Sequence, residues 1–216
     1  MTKLALALCL AWFGSLFVFR TISQLKNTGT TGIKGFHGAV GSLPWLAGAC
    51  YSAGLVLAPL APIATLYGWL GGGLFVTNDV IHALGALIVV AGICGALLAQ
   101  LAMGDSWRVG VDESESTELV TTGLFACVRN PIFSFVLLSL AGLLLLVPNS
   151  IALVCGVVTL AGTELQVRAV EEPYLERTHG DVYRTYCSRV GRFLPRLDLF
   201  RAGEQQSAGR ELNRNG

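Results

Sequence analysis

The sequence predicts an all-α integral membrane protein with about five transmembrane helices. Three observations carry that prediction. Hydrophobic residues make up 53 % of the 216 and charged residues only 13 %, with a mean hydropathy of +0.61, too few charges to cover a soluble globule. The apolar residues fall in runs close to the roughly 17–25 residues that cross a bilayer as helix. In a five-span arrangement fourteen of the fifteen basic residues lie on one side, the asymmetry that sets membrane orientation. The net charge of +1 gives no ground for a nucleic-acid partner.

The five runs are residues 3–19, 43–66, 79–103, 131–147 and 150–167. The first is short and ends at Arg20; it lacks the small-residue cleavage site of a signal peptide and is expected to be a retained helix. Pro59 and Pro62 are expected to kink the second helix or end it early. Gly48, Gly54, Gly85, Gly92 and Gly95 would let backbones approach closely in lipid. Only Pro148 and Asn149 separate the last two runs, which therefore form a tight helical hairpin. Its first arm is lean, so tilting or stopping short of the far surface is expected.

Charge fixes the orientation. Residues 20–42 carry Arg20, Lys26 and Lys34, residues 104–130 carry Arg108 and Arg129, and nine arginines follow the fifth run, whereas residues 67–78 have no Lys or Arg. This places the N-terminus outside and the C-terminus in the cytoplasm. The chain divides into three N-terminal spans (1–103), a chemistry-bearing region with the hairpin and a cytoplasmic helical segment (104–196), and a polar tail (197–216) whose aperiodic end, from residue 202, is expected to be disordered.

Two segments, 104–131 and 164–195, are richer in polar detail than connectors need, and the hairpin brings them together. Asn130 is a suitable N-cap and Pro131 suits a first helical turn; with Arg129 beside them, that helix start would attract a carboxylate or phosphate, or would simply be a capped helix with a positive-inside arginine. Arg168, Glu171 and Glu172 are spaced i, i+3, i+4 on one helical face, with Glu164 one turn back. Ionisable groups at such depth face a cavity or a partner, or form a self-satisfied network. Pro173 marks a bend or restart. Trp107, Tyr183 and Tyr186 are either interfacial anchors or walls of a planar-ligand site. His37, His82 and His179 have no ligand-spaced partners, and the six cysteines form no CxxC pair, so no metal is expected. Residues 112–118 are an acidic, solvated loop.

The order of these elements resembles the isoprenylcysteine carboxyl methyltransferase family and its bacterial relatives. The resemblance rests on Gly104-Asp105-Ser106-Trp107, on Leu119-Val120-Thr121-Thr122-Gly123-Leu124-Phe125, and on Arg129-Asn130-Pro131-Ile132-Phe133. It continues with Arg168, Glu171, Glu172 and Leu175, then Gly180, Asp181, Tyr183 and Tyr186, then 189–195. Asn130 stands where eukaryotic members have His, Phe133 where Tyr is commoner, and His179 where an aromatic Phe is usual.

The resemblance implies an S-adenosylmethionine-dependent methyltransferase in a prokaryotic inner membrane. Its cofactor would lie on the cytoplasmic side and its lipophilic or lipidated acceptor would come from membrane lipid, with carboxyl O-methylation of an isoprenylcysteine-like group. On that reading Arg129, Asn130 and Pro131 receive the cofactor carboxylate and Glu172 its ammonium or adenosine end. Leu119, Val120, Gly123 and Phe125 contact adenosine, and Tyr183 and Tyr186 close the pocket. Arg168 would position the acceptor's carboxylate, with Glu171 fixing Arg168; for an amine acceptor Glu171 would instead take a proton. The alternatives are a phospholipid or amine N-methyltransferase, an NADPH-dependent reductase of the sterol-reductase type, and a non-enzymatic scaffold.

Overall fold

A computed structural model describes residues 1–33, 35, 38–71, 73–108 and 118–196. Lys34, His37, most of the acidic stretch (residues 112–117) and the 197–216 tail lie outside the described residues. The described residues are helical with no strands. Five helices follow in order: α1 (Thr2–Thr28), α2 (Leu43–Leu66), α3 (Asp79–Ala102), α4 (Pro131–Leu146) and α5 (Ser150–Arg189). Four of them are long and apolar enough to cross a membrane. The fourth run gives a helix of 16 residues, roughly 24 Å at helical rise against a hydrocarbon core of about 30 Å. It is the short arm of the hairpin.

The first helix differs from its expected limits. It runs through Arg20 to Thr28 and stops at Gly29, whose φ of 76° gives the left-handed cap. Between Gly14 and Phe19 it winds as a π-helix, which alters the hydrogen-bond ladder in that turn; the Leu16 carbonyl there accepts from Gln100 Nε2 at 3.2 Å. Nor do Pro59 and Pro62 end α2, which stays α-helical to Leu66. Pro62 cannot donate to the Ala58 carbonyl, and the Cys9 thiol of α1 approaches that oxygen at 3.8 Å instead.

Small residues hold the bundle together, because in lipid the drive for helices to associate is close packing. α4 lies along α3: a Cβ on Gly142 would sit 2.7 Å from Gly85 O and 2.8 Å from Val89 N, and Gly92 and Gly95 face Ser139 and Phe135. α5 lies along α2, with Gly54 against Thr159 and Gly162 against the Tyr51 backbone. Gly48 lines a cavity. The inner faces carry Ala58, Ala61, Ala96 and Ala99, whereas Leu10, Val56, Leu87 and Val157 point outward and exposed, as lipid-facing side chains do.

The hairpin turn is pinned at the end away from the polar segments. Asn149 donates from Nδ2 to Ala61 O and Thr65 Oγ1, both at 2.8 Å, accepts from Ala152 N, and so caps α5. Leu74 N donates to Pro148 O. At the other end lie the start of α4, the polar half of α5, and the turns Gly104–Ser106 and Gly123–Ala126. Lys3 is the one basic residue, among those described, that does not lie toward this polar end.

Candidate functional site

α5 runs for 40 residues, more than the roughly 17–25 that cross a bilayer, and its helical geometry breaks at Gly180 (φ 53°, ψ −126°). Its apolar part, Ser150–Gln166, is the spanning part. At its end, where the helix turns polar, Arg168 Nε pairs with Glu164. There it winds as a π-helix from Val167 to Glu171 before resuming as Glu172–Arg189. The wider turn sits just ahead of Pro173, which has no N–H for the ladder. It also overturns the one-face reading of Arg168, Glu171 and Glu172, since i+3 and i+4 neighbours share a face only at α-helical pitch.

The three residues part company. Arg168, 59 % exposed, bonds Glu164 and lies outside the cavity. Glu171 turns inward and lines it. Burial pushes the Glu171 carboxyl up to about 7, opposed by a hydrogen bond from Gln166 and by the charge of Arg108, and helped by Glu172. Glu172 is held by two arginines: Arg192 grips it bidentately at 2.8 Å through Nε and Nη2, and Arg129 Nη1 lies 2.9 Å away. Glu172 does not line the cavity.

The same clamp joins the two polar segments. Val128 and Gly191 form a parallel bridge, with Arg129 N donating to Gly191 O at 2.8 Å and Asn130 N to Arg192 O at 3.1 Å. Asn130 is not a side-chain cap; its Nδ2 also donates to Arg192 O. Ser134 Oγ donates to Phe193 O at 2.8 Å. Glu172 holds the Arg192 guanidinium strongly protonated. The carboxylate is therefore already satisfied, and its place is to fix Arg129 at the start of α4.

Around this junction lies a cavity of about 340 Å³, within the range of small-molecule sites. Of the residues expected at a cofactor site, Leu119, Val120, Phe125, Arg129, Asn130, Pro131, Tyr183 and Tyr186 line it. Gly123 does not; its φ of 60° opens the turn that carries Phe125 inward. Tyr186 donates to Phe125 O at 2.6 Å, and burial lifts its phenol to about 12. Trp107, 2 % exposed, is a cavity wall rather than an interfacial anchor. Glu118, expected in a solvated loop, reaches the rim.

Sequence reasoning missed Tyr51, Gln100, Arg108, Gln166 and Tyr174, all of which line the cavity. Gln100 and Gln166 carried a signal, being amides at the ends of apolar runs. Arg129 remains the cation best placed for an anionic group: its Nε is buried without a hydrogen-bond partner among the described residues, at a helix start.

Residues 80–182 match the family model for phospholipid methyltransferases. The match covers a little under half of the chain. It indicates a membrane methyltransferase, and the matched family is related to the isoprenylcysteine carboxyl methyltransferases. No curated protein matches the chain. The matched residues take in α3 from Val80, the hairpin, the π-turn at Val167–Glu171, and Arg129 and Glu172; α1, α2, Tyr183, Tyr186 and Arg192 lie outside them.

Proposed function

We propose that the protein is an S-adenosylmethionine-dependent methyltransferase acting on a lipophilic acceptor whose nucleophile is an amine. The observation that carries this reading is Glu171, a carboxyl inside the cavity with a raised pKa near 7. Arg168, the cation that would have anchored an acceptor carboxylate, is outside. A phospholipid headgroup amine is the acceptor class that the family match favours.

Bound S-adenosylmethionine supplies an electrophilic sulfonium methyl and leaves as the neutral thioether. Arg129, through the Nε that has no hydrogen-bond partner among the described residues, and the start of α4 would hold the donor's carboxylate. Leu119, Val120 and Phe125, with Tyr183 and Tyr186, form the wall that excludes water around the adenosine. Glu171 takes the proton that the acceptor ammonium must lose before its lone pair can attack, the role of a general base matched to neutral pH. Its carboxylate also draws a cationic acceptor in and repels an anionic one.

A second reading has one observation in its favour. Arg108 and Arg129 both line the cavity, and they could hold the carboxylate of an isoprenylcysteine-like acceptor for O-methylation, for which no base is needed. Purified protein with radiolabelled donor, given phosphatidylethanolamine liposomes or N-acetyl-farnesylcysteine, separates the two. Base-stable N-methyl product, lost about 10²- to 10⁴-fold in Glu171→Gln with donor binding retained, is the expected result. A base-labile ester that survives Glu171→Gln would overturn the amine reading.

A further inference from the structure

Arg20 is the most costly residue in α1. It is a full positive charge, 2 % exposed, in a helix whose other charged residue up to that point is Lys3, near its start. A positive-inside arginine that merely ended a span would reach for headgroups. This one turns into the protein. Its Nη2 donates to Gly104 O, and its guanidinium lies over the Trp107 ring, 4.8 Å from the centroid. One turn on, Gln24 Nε2 donates to Asp105 O at 2.8 Å. Gly32, beyond the helix with φ 72°, lies so close to Trp107 that a Cβ there would meet the ring at 3.0 Å.

The segment leaving α3 is thus fastened to α1 at three successive points: Gly104, Asp105 and Trp107. The next residue, Arg108, lines the cavity and lies over the Tyr174 ring at 5.3 Å. Tyr174 is three residues from Glu171 on α5, and the Arg108 charge acts on Glu171. The groups facing Glu171 are Arg108 from this segment, Tyr51 from α2, and Gln166 and Glu172 from α5.

We propose that Arg20 is a positioning residue for methyl transfer: it pins the turn at residues 104–107 to α1, and the turn delivers Arg108 to the wall where Glu171 works. The proposal rests on the reading of Glu171 as the base. It gives α1, which lies outside the matched residues, a part in the chemistry. Lysine would not replace arginine here, because the contact needs a planar cation that donates a hydrogen bond and stacks on indole.

The test is the pH–rate profile of the full chain on phosphatidylethanolamine liposomes, with donor affinity measured beside it by calorimetry. In the wild type the rate rises through the Glu171 ionisation. In Arg20→Met that limb moves to higher pH by about 1 unit, the low end of what removing a nearby opposite charge produces, with donor Kd within about twofold. Arg108→Met moves it the same way, and the double variant moves it no further. Trp107→Phe keeps the packing and weakens the stack; it moves the limb in the same direction and serves if Arg20→Met fails to fold. A limb that disappears in Glu171→Gln but stays in place in Arg20→Met and Trp107→Phe would overturn the role of Arg20 alone. Additive shifts in the double variant would do so too. A limb that persists in Glu171→Gln would overturn the base assignment, and this inference with it.

Discussion

Glu172 offers the sharpest test of how the site is built. It makes two contacts of 2.8 Å to Arg192 and one of 2.9 Å to Arg129, with side-chain exposures of 18 %, 26 % and 12 % for the three residues. Hydrogen bonds to charged groups contribute about 1.5–3 kcal/mol each when well shielded, and partial exposure holds the sum toward the low end. Glu172→Gln keeps shape and one acceptor but removes the charge and leaves two guanidiniums facing each other. Its expected cost is about 2 kcal/mol, read as a melting-temperature drop of about 4–8 °C in detergent for a chain of this size. Arg192→Met breaks the same bidentate pair while sparing the Arg192 carbonyl that receives Asn130. A double-mutant cycle should return a coupling of about 1.5–2 kcal/mol, because the two changes remove one interaction. Donor affinity should fall about tenfold in Glu172→Gln, which frees Arg129, and less in Arg192→Met, where the Glu172–Arg129 pair remains; tenfold corresponds to about 1.4 kcal/mol. Additive losses would refute the clamp. So would unchanged donor binding in Glu172→Gln.

Other consequences follow from the same geometry. Arg168→Ala should keep turnover within a few-fold and stability within about 1 kcal/mol, because an exposed i,i+4 pair contributes little; abolished activity would return Arg168 to the site. Gly142→Leu should lose about 1–3 kcal/mol or more by forcing α3 and α4 apart, whereas Gly156→Ala, with nothing within 4 Å, should be neutral or stabilising in thermal unfolding. In a variant keeping only Cys127, which is exposed at the polar end, an impermeant thiol reagent should label inside-out vesicles and not intact cells. The opposite pattern would reverse the orientation drawn from the basic residues.

The sequence by itself determined the membrane class, the helix count and the tight hairpin, because these depend on run length and hydropathy, which are local. It also picked out Arg129, Asn130, Pro131, Leu119, Val120, Phe125, Tyr183 and Tyr186, which the structure gathers around one cavity. It failed wherever pitch or packing departed from the ideal helix. Arg168, Glu171 and Glu172 share a face on paper, yet the π-turn sends one to solvent, one to the cavity and one to a pair of arginines. Arg20 reads as the end of a span, and only its burial against Gly104 and Trp107 gives it another place. Gln100 and Arg108 reach the cavity because α3 ends beside α1 and α4. Which charge meets which partner depends on helix pitch and on neighbours distant in sequence, and neither is written into the spacing of one segment.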